Sequence, residues 1–281
     1  MSAASRNIAA PSLRNPELAI GLALLAFAAA LALAAPLVTS HDPLALVARP
    51  LTAPFTRLDV PLGTDRLGRD IFAGLLFGAR STLLTAGAVA TIALVLGALA
   101  GSLAGTFGGV LDEGLMRLAD AVQTVPGFVL ALALVSALGP SQGTLVAALA
   151  AGAWTGPARV VRAQVLSLKE RPFVEASRLI GRPRAAIALR VILPNARGPL
   201  VALASIIVAG AILSEAALSF LGLGDPNTVS WGAMIAEGRA VMRSAPHVIL
   251  APGLAVTFTV LVVSLVGDGV TKAFSASSEG S

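Results

Sequence analysis

Long uncharged runs separated by short charged stretches dominate the chain. Residues 18–38 carry no charge and lie between Glu17 and the turn-like Thr39-Ser40-His41-Asp42-Pro43. At about 1.5 Å per residue such a run crosses a hydrocarbon layer of ~30 Å, so it predicts a first membrane-spanning helix. It exceeds the ~7–15 apolar residues of a cleaved leader, the competing reading. Residues 39–80 then hold four aspartates, most of the early arginines and four prolines, and are expected to form a long connecting loop. A second uncharged stretch, 81–111, is longer than one span needs, which predicts a span over 81–107 ending near Gly105 to Gly109. No charge occurs between Asp120 and Arg159, and Gly139-Pro140-Ser141-Gln142-Gly143 divides that interval into spans at 115–138 and 143–158. After a charged segment over 159–197 come a span at 198–221, a loop at 222–247 and a sixth span at 248–267.

The expected fold is therefore all-α: a polytopic membrane protein with six transmembrane helices. Composition agrees, with 56% apolar residues, 12% charged residues and a mean hydropathy of +0.85. Soluble globules and disordered chains both need more polar sequence. Zero cysteines exclude disulfides, thiolate metal sites and cysteine nucleophiles. A net charge of +5 raises nucleic acid as a partner, but nine of the 20 basic residues fall within 159–197. Basic loops remain on the cytoplasmic side, so this segment, the N-terminus (1–17, with Arg6 and Arg14) and the C-terminus (268–281, with Lys272) are expected there, and no nucleic acid is expected. The 39–80 and 222–247 loops are then extracytoplasmic. Four arginines between 39 and 79 weigh mildly against this orientation.

Few residues within the spans could carry chemistry. Gly97, Gly101 and Gly105 recur every four residues, which stacks them on one face where another helix can approach closely. Acids in or beside a membrane are costly and point to function. Glu215 is expected inside the bundle, lining a pathway or held by structural hydrogen bonds. Asp120 is a second pathway candidate, although Arg117 three residues earlier offers it an ion-pair partner. Asp268 is expected at the interface. The two histidines, His41 and His247, lie outside the spans, and neither a metal site nor a catalytic residue is expected.

The segment 159–197 is the most informative. Pro172 suits a first helical turn, Glu175 complements that turn's dipole, and Phe173, Ala176, Leu179 and Ile180 recur with helical period. A short amphipathic helix follows, ended or kinked by Gly181 and Pro183, with a second piece near 184–191 and a stop at Leu193-Pro194. Anionic lipid is one partner such a helix could have.

The order Glu175-Ala176-Ser177, Gly181, Val191, Leu193-Pro194 resembles the EAA loop of binding-protein-dependent ABC importer permeases, with Ser and Val as mild departures. Within that superfamily the chain resembles the C-type permease of the dipeptide/oligopeptide/nickel branch. Pro61 to Asp70 (PLGTDRLGRD), Arg162 to Glu170 (RAQVLSLKE), Leu218 to Gly224 (LSFLGLG) and Ser230 to Gly232 (SWG) carry the likeness, which covers nearly everything after residue 17. Val60 and 225–229 depart from the pattern at outer-loop positions.

The resemblance implies an ABC transmembrane domain over 81–270 and a cytoplasmic coupling helix between spans 4 and 5 that sits in a cleft on an ATPase subunit. Glu175 would fix that helix's start, Phe173, Ala176 and Leu179 would fill the cleft, Gly181 would allow the turn back, and arginines such as Arg182 would supply charge-assisted contacts. The sequence contains no phosphate-binding loop, and its two lysines, Lys169 and Lys272, lie in other contexts. ATP and Mg are therefore expected in a partner ATPase, and this chain is expected not to be an enzyme. Implied partners are a sister six-span permease in a pseudo-two-fold heterodimer, two ABC ATPase subunits, an extracytoplasmic solute-binding protein and membrane lipid, all at the cell inner membrane. Peptides are the implied cargo, with nickel or another small solute as the alternative. An ion-coupled carrier would show inverted repeats and several midplane ionisable groups, and only Glu215 qualifies.

Overall fold

Helices account for nearly all regular structure in the computed structural model, which describes residues 15–195 and 197–279. Arg6 and Arg14 lie outside the described residues, as do the side chains of Arg178, Arg184 and Arg197. Helix α1 (Pro16–Leu33) begins at Asn15, whose side chain accepts from Glu17 N, and a single-residue break leads into α2 (Ala35–Val38). Residues 39–70 wind over one end of the bundle, where His41 Nδ1 lies 3.1 Å from Asp70 Oδ2. Asp70 also caps α3 (Ile71–Phe107) by accepting from Phe72 N at 2.9 Å.

That cap starts α3 ten residues before the uncharged run does. Its only charge, Arg80, is exposed, and one solvated charge does not stop a helix, so the expected loop 39–80 ends at residue 70. Gly108 and Gly109, both with positive φ, turn the chain into α4 (Gly109–Thr124). The span expected over 115–138 is not one helix: α4 and α5 (Gly127–Leu138) meet at 82° across Val125-Pro126. Proline removes a backbone donor and disfavours helical geometry in the residue before it.

Ser141 caps α6 (Gln142–Ala153), which runs through Trp154 into α7 (Thr155–Leu168). The helical path therefore passes the expected boundary at residue 158. Arg159 and Arg162 are tolerated there because α4 supplies their counter-ions, Asp120 and Asp112. Then come α8 (Pro172–Leu179), α9 (Arg184–Ile187), a π-helical turn (Ala188–Ile192) and α10 (Leu193–Asn195). Helix α11 (Arg197–Phe220) leads to α12 (Trp231–Gly238) inside the expected loop 222–247, and α13 (His247–Glu279) closes the chain.

Among the described residues, five stretches are long and apolar enough to cross a membrane, and the bent pair α4–α5 makes a sixth if counted as one. Their packing centres on α3. Buried Ala79, Ala86 and Val89 of α3 meet Leu145 and Leu149 of α6, Ile212 and Leu218 of α11, Trp231 of α12 and Val256 of α13. Near the start of α1, Leu18 packs against Val270 and Ala273 of α13, and Lys272 pairs with Glu17 at 2.5 Å.

Candidate functional site

Three glycines of α3 decide how the bundle reaches the arginine-rich segment. A Cβ on Gly97 would lie 2.6 Å from the Trp154 carbonyl oxygen, one on Gly101 2.3 Å from that of Ala158, and one on Gly105 2.7 Å from Val165 Cβ. Their side-chain-free face thus lets α7 run parallel to α3 at backbone contact. Across α7, Arg162 holds Asp112 through two bonds of 2.5 and 2.7 Å, and Arg159 holds Asp120 at 2.5 Å. The pairing of Asp120 with Arg117 is corrected here: Arg117 bonds Glu113 one turn away on its own helix, while Asp120 faces α7.

Beyond α7, α8 carries the predicted coupling residues. Pro172 opens it, and the N–H groups of Val174 and Glu175 donate to the Arg171 carbonyl. It ends at Gly181, where φ is +77° and Arg182 N donates to Ser177 O while Ile180 N donates to Ala176 O. This i to i−5 closure around a left-handed residue is a Schellman end, and it explains why glycine stands there although the space around it is open. Val174 is fully buried among Val161 and Val165 of α7 and Ile187 and Ile192 of the following turns. Ser177 also faces inward and donates to Phe173 O at 2.9 Å. With Val174 holding the helix down, Phe173, Leu179 and Ile180 stand outward, 44%, 83% and 70% exposed, and Glu175, Ala176 and Arg182 are exposed as well.

The anchor Val174 had no sign in the helical pattern, which pointed only to its neighbours; a valine one position off the exposed stripe is the cue. Behind α8 a cleft of about 810 Å³ is lined by Thr106, Lys169, Glu170, Glu175, Arg182 and Ile192. Val191 lies in the π-helical turn, and Leu193 and Pro194 in α10, so the motif positions bend the chain back towards α11 rather than adding to the exposed face. Single π turns accommodate an extra residue within a helix and recur at functional positions.

Glu215 occupies the other end of the bundle and is 4% exposed. Its Oε1 accepts from Ser219 Oγ at 2.8 Å and Ser230 Oγ at 2.7 Å, while Oε2 is buried without a hydrogen-bond partner. Asp120, by contrast, is largely exposed. The two pathway candidates are not brought together. Thr82, whose Oγ1 accepts from Trp231 N next to Ser230, and Gly97, which meets the α7 turn holding Arg159, lie 15 residues apart on α3, or about 22 Å along a helix.

A bundle of five or six apolar spans with an anchored, outward-facing amphipathic helix at one end belongs to a multi-pass membrane protein. Residues 93–278 match the family described as binding-protein-dependent transport system inner membrane component, and the chain belongs to that family. It is 41% identical over 267 residues to a probable peptide ABC transporter permease protein of Sinorhizobium fredii, covering 93% of this chain and 89% of that one. It is 35% identical to the dipeptide transport system permease protein DppC of Alkalihalophilus pseudofirmus, covering 92% and 86%. The oligopeptide transport system permease protein OppC of Haemophilus influenzae is 38% identical, with 75% and 68% covered. Among solved structures, a chain of the methionine ABC transporter MetNI in an inward-facing conformation shares the fold, with a TM-score of 0.58 at 21% identity over 72% of this chain and 97% of that one.

Proposed function

We propose that the chain is the permease subunit of an ATP-driven importer that carries di- or oligopeptides across the inner membrane, and that α8 is its contact with a separate ATPase. The observation that carries the reading is the division of labour on α8. Val174 ties the helix to the bundle, so a push on Phe173, Leu179 and Ile180 is passed to α7 and, through the glycine seam, to α3. Packed helices with two discrete arrangements transmit such a push as a rigid-body movement. Peptide cargo is supported by the names of several relatives, including a glutathione transport permease from Pectobacterium atrosepticum.

In this reading the α8 end and both termini face the cytoplasm, and the 39–70 loop and α12 face outward. ATP and Mg are held by two partner ATPase subunits, a sister permease completes the pathway, and an extracytoplasmic binding protein delivers the peptide. Purification of the native complex tests the assembly: two ATPase chains should co-purify, and their absence refutes it. Glu175→Arg should abolish ATP-driven uptake while the chain still inserts, and normal uptake would remove α8 from the coupling role. Because the sequence has no cysteine, Arg182→Cys should react only from the cytoplasm and Thr56→Cys only from outside. The reverse pattern refutes the orientation.

A further inference from the structure

Helix α12 is fastened to three neighbours, α3, α11 and α13. Gly232 lies so close to α11 that a Cβ there would be 2.6 Å from Ala216 Cα, and a Cβ on Gly238 would be 3.1 Å from Ile249 N in α13. On the α3 side, a Cβ on Gly78 would be 3.0 Å from the Trp231 ring and one on Gly74 2.8 Å from the end of Met234. The Trp231 indole N–H donates to Leu75 O at 2.9 Å. Arg69 reaches Glu237 at 3.4 Å, and Arg239 stacks on the Phe220 ring at 5.1 Å.

Glu215 is the polar centre of this arrangement. Ser230 caps α12 by accepting from Ala233 N at 3.2 Å and donates its own proton to Glu215 Oε1. The carboxyl thus orients the cap, and Ser219, one turn further along α11, holds the same oxygen from the other side. A buried hydroxyl must find an acceptor, and both serines are 6% exposed or less, so loss of the carboxyl would leave two donors unpaired.

We propose that α12 is a fixed cap rather than a moving gate, and that Glu215 is the positioning residue that fixes it. Helices α3, α11, α12 and the first turns of α13 then move as one body through the transport cycle, and Glu215 lines no pathway. The close contacts of Gly232 and Gly238 support this, because sliding α12 out would separate its packing on α3, α11 and α13 at once.

The inference rests on the importer reading for its readout. In the assembled complex, Glu215→Ala should lower uptake per ATP hydrolysed roughly tenfold, with hydrolysis continuing, and Glu215→Gln, whose amide oxygen accepts the same two hydroxyls, should restore it. A chain that is merely destabilised would lose uptake and hydrolysis in proportion. Wild-type uptake in Glu215→Ala overturns the proposal.

Should Glu215→Ala fail to accumulate, a second variant decides. Arg69→Cys with Glu237→Cys places two partly exposed thiols across the ion pair that links the start of α3 to α12, clear of the Glu215 hydrogen bonds, to be joined by a short bifunctional thiol reagent. A fixed cap predicts equal uptake before and after joining. Uptake that is blocked by joining and recovered on release identifies a gate and overturns the inference alone. An unaltered complex that neither hydrolyses ATP nor takes up peptide overturns the importer reading and this inference with it.

Discussion

At the α12 end, glycines bring backbones together and the buried Glu215 is held by two hydroxyls; at the α8 end, three large apolar side chains stand outside a cleft of about 810 Å³. Both ends use a short helix attached to long ones. The difference lies in what holds it. Helix α12 is gripped on three sides by α3, α11 and α13, whereas α8 is gripped on one face through Val174 and offers the other. A helix held by three neighbours follows the bundle, while a helix held on one side can receive a partner and transmit its movement. For an importer driven from one side of the membrane, that asymmetry is the mechanical requirement.

The largest test of this contrast is Gly232→Val. Its side chain would press on the Ala216 backbone, and overpacking of this kind costs ~3 kcal/mol, so the purified complex should melt several degrees lower or fail to assemble. A variant as stable as the parent would show that the cap end is loosely packed. Next comes Val174→Ala, which removes two methyl groups from a fully enclosed site and should cost about 2 kcal/mol, read as a lower melting temperature with weakened uptake.

Leu179→Ala should separate the two roles of α8. The side chain is 83% exposed, so stability should change by no more than ~0.5 kcal/mol, while ATP-driven uptake falls sharply. Unchanged uptake would mean that the outward face touches no partner. The smallest effect belongs to Arg57→Ala in the 39–70 loop, where Arg57 and Asp59 form an exposed ion pair at 2.6 Å. Stability and uptake should both stay at parental levels, since such pairs contribute little. Its hydrogen bond to Arg57 holds the Asp59 carboxyl below its ordinary value. Whatever the pair contributes is therefore present at neutral pH and lost as pH falls through that lowered value. A marked loss in Arg57→Ala would make this loop a working surface.

Much of the architecture was legible in the chain because hydrophobicity acts residue by residue. The runs at 18–38 and 248–267 lie within α1–α2 and α13, and Pro172 and Gly181 bracket α8 just where their backbone preferences require. Boundaries moved where a local rule met a distant partner. Arg159 and Arg162 mark a loop by composition, yet they sit in a helix because Asp120 and Asp112 face them from α4. A similar limit hid α12. Its eight residues are too few to show a period against the surrounding loop, and its Ser230 cap is completed by Glu215, fifteen positions away.

Local pattern along the chain was enough to establish a helical membrane protein, where its apolar runs fall and which short helix carries the exposed apolar stripe. Those properties are sums over neighbouring residues and need no knowledge of the rest of the chain. Three-dimensional packing was needed to show that Asp120 bonds Arg159 rather than Arg117, that Val174 anchors α8 and that Glu215 lies closed between two serines. Each of these depends on which helix faces which, and that is chosen by the close packing of surfaces remote in sequence, the glycine face of α3 foremost among them.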